Sequence, residues 1–326
     1  MAEEETAGWT ATGLRWLEGR PVLTAARGEL VHQRVVAPGT EIGWRLAGPR
    51  RCTGARTATG HRPCPHRAEL APAARSVQCE PCQGVDIGLA LARGQNIHDN
   101  GKTYRLYLAW FGAGLLKVGL TAEERGTSRL EEQAALTYGF VARGPLPAIR
   151  RAELTVAQAG LARERLTGRV KHERWWGLPA AAERRAQLAE LRAAVLRVLD
   201  GHGLELLPEA PLVDQCGLYG LAEGAPPVYR EVTALAEGAL LAGRLRAPVG
   251  RYLFLDTEEP TAGAPPLLLD TRLLTGWRLV PARRTPAQAG SEPPDSGPLG
   301  SGHIAHGVTL RTHRRPEPTG EQTALF

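Results

Sequence analysis

Short apolar runs broken by Gly and Pro open the chain. Leu14–Leu17, Pro21–Thr24, Leu30–Val36 and Ile42–Leu46 read as strands of a β-rich module over residues 1–50. Apolar periodicity fades across 51–100, a stretch rich in Cys, Pro, Gly and His that must be held by something other than a hydrophobic core. It returns as a hairpin: Tyr104–Phe111, a Gly112-Ala113-Gly114 turn, then Leu115–Leu120. Thr121 followed by Glu124 predicts a capping box that opens a helix toward Leu136, although Gly126 weakens its first turns. A second helix starts after Pro147 with Ile149, Ala152, Val156 and Ala159 on one stripe. Leu188, Leu191, Val195 and Val198 give a third helix within 180–203, with Gly201 as its stop. Short runs such as Arg251–Leu255 and Pro266–Asp270 make 204–282 a second β-rich module. Residues 283–326, dense in Pro, Gly, Ser and Thr, read as a disordered tail. The expected class is α+β: a small antiparallel sheet with flanking helices over 101–179, a cysteine-rich segment over 51–100, and β-rich modules at both ends.

At 326 residues and 43% apolar content the chain is long enough for two or three domains with real cores. No run approaches the roughly 18 apolar residues needed to span a bilayer. The acidic start, MAEEETAGWTATG, has neither a basic nor an apolar leader region, so a cytoplasmic protein without membrane contact is expected. Net charge is +6, and of 40 basic residues only Lys102, Lys117 and Lys171 are lysines, leaving 37 arginines. Arginine forks suit phosphate, but an arginine-for-lysine bias also follows from a GC-rich genome. The charge therefore permits a polyanion partner only if the arginines cluster.

Cys52, Cys64, Cys79 and Cys82 are spaced C-x11-C-x14-C-x2-C. The Cys79-Glu-Pro-Cys82 knuckle can aim two thiolates at one ion, and tetrahedral Zn²⁺ takes four. A metal staple would supply the stability that this apolar-poor segment lacks. With four thiolates the site is closed and structural. His61 and His66 flank Cys64 as substitute ligands. The competing reading is unrelated thiols with one redox pair, Cys79 and Cys82. Cys216 stands apart as a core position.

The run Tyr104–Leu108, Lys117-Val-Gly-Leu-Thr121, Ser128-Arg-Leu-Glu-Glu-Gln133 and Arg150-Arg-Ala-Glu153 resembles the GIY-YIG endonuclease superfamily across about fifty residues. Two strands there carry the tripeptides, a following helix an arginine, and the next helix a metal-binding glutamate. The tyrosine matches Tyr107, the second tripeptide Lys117-Val118-Gly119, the arginine Arg129 with Arg125 as alternate, and the glutamate Glu153. Together with the upstream cysteines, the phrases Leu116–Thr121, Arg129–Gln133 and Arg174-Trp-Trp176 are similar to an uncharacterised bacterial family of domains of unknown function. That family joins a cysteine-rich segment to a GIY-YIG-like core, and the likeness covers roughly residues 50–177.

The resemblance implies phosphodiester hydrolysis. Glu153 would hold Mg²⁺ or Mn²⁺, Arg129 would neutralise phosphate charge and Tyr107 would orient water. Two positions depart from the pattern: Arg105-Leu106 replaces Gly-Ile, and Lys117 replaces the second tyrosine, offering a phosphate contact or a desolvated base. Residues 143–174 hold eight basic residues against three acidic ones and are followed by Trp175-Trp176. Arg125, Arg150, Arg151, Lys171 and Trp175 are accordingly the expected nucleic-acid contacts, through phosphate pairing and base stacking. Two functions stay open: a nucleic-acid-engaging hydrolase acting on DNA or RNA, or a non-catalytic zinc-dependent module binding nucleic acid or protein with an eroded nuclease core.

Overall fold

The computed structural model describes residues 8–28, 30–95, 98–257, 264–282, 304–305 and 307–316. Four strands open it: β1 (Trp9–Leu17), β2 (Arg20–Arg27), β3 (Leu30–Val35) and β4 (Glu41–Ala47). The cysteine-rich segment contributes β5 (Ala55–Thr57), β6 (Gly60–Arg62), α1 (Glu80–Val85) and α2 (Ile87–Ala92). Then come β7 (Thr103–Trp110), β8 (Leu116–Ala122), α3 (Ser128–Glu132), β9 (Thr137–Pro145), α4 (Leu146–Gln158), α5 (Gly168–His172) and α6 (Ala181–Leu199). Short strands β10 (Glu205–Leu206) and β11 (Val213–Asp214) follow. The chain closes on β12 (Val228–Leu235), β13 (Leu240–Val249), β14 (Tyr252–Asp256), β15 (Leu267–Asp270), β16 (Arg278–Pro281), β17 (Ile304–Ala305) and β18 (Val308–Arg314).

The class is α+β, dominated by sheet. The small sheet runs β10-β9-β7-β8, with β11 also on β9, and all its pairs are antiparallel. Strand alternation splits β7 between two faces. Leu106, Leu108 and Trp110 pack with Ile149 and Val156 of α4 and Leu188 of α6, whereas Tyr107 and Ala109 join Leu130 and Tyr138 on the opposite face. The α4 stripe is Leu146, Ile149, Ala152 and Val156, with Ala159 already outside the helix. On α6 the buried row is Leu188, Leu191, Val195 and Leu199, so Leu199 takes the place expected for Val198.

The two β-rich ends, separate modules in the sequence reading, share one eleven-stranded sheet ordered β17-β18-β12-β15-β14-β13-β4-β16-β1-β2-β3. β4 lies between β13 and β16, and Trp44, Leu46, Leu241, Leu245 and Trp277 fill a common core. Pairing over some two hundred residues leaves no local trace in sequence. Part of the expected tail is also sheet: β18 pairs antiparallel with β12 and buries Val308 in that core. The rest of that tail, 283–303, 306 and 317–326, lies outside the described residues.

The capping box at Thr121 does not form. Thr121 belongs to β8, a 3₁₀ turn covers Glu123–Arg125, and Gly126 at φ 52° ends it, so α3 is only five residues long. The large sheet packs on the small-sheet core through Trp16, Val249, Tyr252, Phe254 and Leu268. Trp16 donates from Nε1 to the Gly250 carbonyl at 2.7 Å. No helix among the described residues is long and apolar enough to cross a membrane.

Candidate functional site

Gly119, the last residue of the Lys117-Val-Gly tripeptide, faces Tyr107 as its register partner across β7 and β8. A methyl group at position 119 would overlap the Tyr107 hydroxyl and lie 2.9 Å from Lys117 Nζ. The missing side chain is therefore what lets a phenol and an ammonium meet over one point of the sheet. Lys117 Nζ sits 5.4 Å from the Tyr107 ring centre and donates to the Val118 carbonyl at 3.1 Å.

Gln133, at the end of α3, fixes the phenol. Its Nε2 donates to the Arg129 carbonyl at 3.1 Å and to Tyr107 Oη at 2.8 Å. A carbonyl only accepts, so the amide must present N–H to both partners, and the phenol oxygen is the acceptor. The Tyr107 proton is thereby directed away from Gln133.

Glu153 comes from α4, and Lys117 acts on its carboxylate electrostatically. Burial raises the Glu153 pKa, opposed by the hydrogen bond and charge of Arg150 and by Lys117. Arg150 Nη1 bonds Glu153 and also Glu164 at 2.9 Å, so one guanidinium bridges two carboxylates. Glu164 arrives there because residues 163–164 run beside β8: Val118 donates to the Arg163 carbonyl at 3.0 Å, and Arg163 donates to that of Leu116 at 3.1 Å.

Tyr107 and Lys117 thus meet, with Glu153 within electrostatic reach of Lys117, but all three are covered, with exposures of 1%, 8% and 6%. Arg129 is exposed on α3 and lies within electrostatic reach of Lys171 rather than in the covered group. Lys171 Nζ donates to the Gln133 carbonyl at 2.7 Å and lies 3.8 Å from the Phe111 ring centre. Burial, with Arg251, Lys117 and Arg129 adding repulsion, lowers its pKa from 10.5 to about 6. Lys171 is an internal brace beneath the site and not the surface phosphate contact expected of it.

The other expected nucleic-acid contacts divide. Arg151 is exposed, whereas Arg150 is engaged by its two carboxylates and Arg125 bonds Glu132 at 2.7 Å. Trp175 is fully buried against His172, Tyr252 and Phe254, so no ring face is open to a base. The reason is that α5 is clamped between the small-sheet core and the large sheet, which the basic pattern around it does not reveal. Gln133 and Glu164 were not singled out in the sequence. The i, i+4 spacing of Arg129 and Gln133 is the one local signal for the former.

The four cysteines Cys52, Cys64, Cys79 and Cys82 bring their sulfurs within 4.8 Å of one another, a group that can hold a metal ion such as zinc. Cys79 caps α1 and Cys82 lies in its first turn, so the knuckle is a helix start. Backbone N–H groups of Gly54 and Cys79 donate to Cys52 Sγ at 3.4 and 3.2 Å, as thiolate ligands favour. Burial opposes ionisation of Cys64, yet N–H groups of Ala68 and His66 hold its pKa down to about 7. Gly54, at φ 87°, has no room for a side chain against the Arg62 carbonyl. His61 turns its Nε2 to the Thr53 carbonyl at 2.6 Å, away from the sulfurs. Asp86 ties the segment by accepting from Arg56 N, Leu89 N and Gln78 Nε2 at 2.7–2.8 Å. Arg50 joins it to the large sheet through the Thr275, Pro72 and Ala74 carbonyls. Cys216 is a buried core thiol whose pKa burial pushes up to about 12.

Protein purified without chelator is expected to carry one zinc per chain, measured by elemental analysis, and Cys79→Ser to lose it. Full-strength zinc in that variant would refute the four-thiolate assignment. A second expectation concerns pH. The unfolded chain holds the Lys171 proton up to 10.5 and the folded chain only to about 6, so it binds more protons when unfolded in that window. Stability should rise as pH climbs from about 6 toward 10. Thermal melts of Lys171→Met should show a flatter slope over the same range, and an identical slope would contradict the burial of an uncharged amine.

Residues 89–279 match the model of the family described as protein of unknown function (DUF2797). No curated protein and no solved structure matches the chain. The match spans the small sheet, its helices and the β12–β16 part of the large sheet, more than half of the sequence, and the chain belongs to the DUF2797 family.

Proposed function

We propose that the chain engages nucleic acid through a GIY-YIG-like core and hydrolyses its phosphodiester bonds with Mg²⁺ or Mn²⁺, while a structural zinc holds the cysteine segment. The observation that carries this reading is the convergence of the Tyr107 hydroxyl and Lys117 ammonium over Gly119, with Glu153 acting electrostatically on the same lysine. Tyr107 and Glu153 are the residue types, on the elements, that the resemblance assigns to water and metal, while Lys117 stands in place of its second tyrosine and the exposed Arg129 matches its phosphate-neutralising arginine.

The fit for a hard divalent cation is supported by the carboxylate pair Glu153 and Glu164, which already shares one positive charge in Arg150. When bound there, such an ion supplies Lewis-acid stabilisation of charge on the leaving oxygen. Glu153 and Glu164 would hold it in place of the guanidinium. Tyr107, with its oxygen accepting from Gln133, keeps its proton free of that bond to orient the attacking water. Lys117 offsets charge on the non-bridging oxygens, and the exposed Arg129 meets phosphate arriving from solvent.

One observation favours the second reading, a binding module without hydrolysis: Arg150 occupies Glu153, and phenol, amine and carboxylate are all covered. Labelled DNA and RNA incubated with the full chain and Mg²⁺ or Mn²⁺ distinguish the two. The hydrolase reading expects cutting, reduced at least a hundredfold, about 2.7 kcal/mol of barrier, by Glu153→Gln. Cutting unchanged in that variant would assign the activity elsewhere. Salt-sensitive binding with no cutting by either protein would leave the binding module.

A further inference from the structure

A cavity of about 480 Å³ opens on the Tyr107 face of the small sheet, within the usual range of roughly 300–1,000 Å³ for ligand pockets. Phe140 of β9, the register partner of Tyr107, lines it, and so does Arg105, two residues from Tyr107 on β7. Its interior is apolar and partly aromatic: Tyr138, Phe140, Leu207, Pro211 and Val213.

The charged lining neutralises itself. Arg105 bonds Glu123 at 2.6 Å, Arg143 bonds the other oxygen of Glu123 at 3.0 Å, and Arg143 also bonds Glu205 at 3.2 Å. Two guanidinium groups and two carboxylates leave no net charge to draw a phosphate inside. They do place donors and acceptors side by side at the opening, as a heterocycle edge carrying both requires. A flat, uncharged, aromatic group with polar edges matches both the apolar interior and the paired donors and acceptors of the opening; an anion or an aliphatic chain does not.

We infer that this cavity is a subsite for one unstacked nucleobase of the polynucleotide whose backbone lies at Tyr107. The inference rests on the nucleic-acid reading above and extends it: the substrate is single-stranded, or opened at one nucleotide, where it meets the sheet. The Phe140 ring and the Arg105 guanidinium lying 5.1 Å from its centre together supply the stacking surface, and the Arg105–Glu123–Arg143 chain reads the base edge.

The test uses the full chain without added Mg²⁺ or Mn²⁺. Fluorescence anisotropy compares a labelled single-stranded DNA or RNA of roughly twelve nucleotides with the same backbone made abasic throughout. The ordinary strand is expected to bind about tenfold more tightly than the abasic one. Ala210→Phe, which places a ring in the cavity from a lining position outside the Tyr107 group, should abolish that difference. Equal binding of the two strands by the native chain would overturn the subsite and leave a backbone-engaging protein. A difference that survives in Ala210→Phe would place the base contacts elsewhere and likewise overturn it. Binding of neither strand at low salt would remove the nucleic-acid reading itself, and the subsite with it. If Ala210→Phe does not fold, saturation-transfer NMR on the native chain decides between free nucleosides and ribose 5-phosphate. Transfer to base protons is expected, and transfer to neither probe would overturn the subsite.

Discussion

The candidate site depends on an absence of atoms. Glycine at 119 removes the side chain that would otherwise sit between β8 and the Tyr107 ring, and the phenol and the Lys117 amine occupy the space it leaves. Everything nearby is arranged around that vacancy. Gln133 pins the phenol oxygen, Lys171 holds the Gln133 carbonyl from below, and Glu153 contributes its charge from α4. Burial makes each of these contacts stronger than it would be in water, and makes each unpaired group more costly. The same burial is what pulls the pKa of Lys171, the lysine lying deepest, down to about 6.

Two different kinds of cohesion meet in this chain. The small sheet and the large one share apolar side chains, from Trp16 to Leu268, so Trp175, just after α5, becomes interior. The cysteine segment has almost no such surface: its buried cluster is Cys52, Ala55, Cys64 and Cys82, with Ala68, Leu70 and Cys79 beside it. It is held instead by sulfurs around one point, by Asp86, and by the buried Arg50 reaching three backbone carbonyls. The first kind of cohesion needs no ion, and the second is the part that a metal on the four cysteines would strengthen.

Local pattern made the site's elements legible. The hairpin from Tyr104, the Gly112 to Gly114 turn and the stripe of α4 follow from alternation, glycine and period 3.6 within a few residues of their observed limits. The cysteine spacing likewise pointed to four sulfurs that do converge. What stayed hidden was set by distant partners. Trp175 reads as an available aromatic until Tyr252 and Phe254 of the large sheet cover it. Arg150 reads as a free cation until the loop after α4 delivers Glu164 to it. Trp44 and Leu241 lie far apart in sequence, and only their pairing across β4 and β13 shows that both ends of the chain build one sheet.

The Gly119→Ala substitution tests the close approach at the centre of this account, because its sign is diagnostic. An alanine that fits stabilises a protein by about 0.4–1 kcal/mol, by restricting the unfolded chain. One forced into the Tyr107 hydroxyl costs about 1–3 kcal/mol of overpacking. Thermal unfolding of the variant is expected to show a lower midpoint than the native chain. A midpoint equal to or above the native one would mean that Tyr107 and Lys117 do not meet over Gly119, and that the site as described here does not exist.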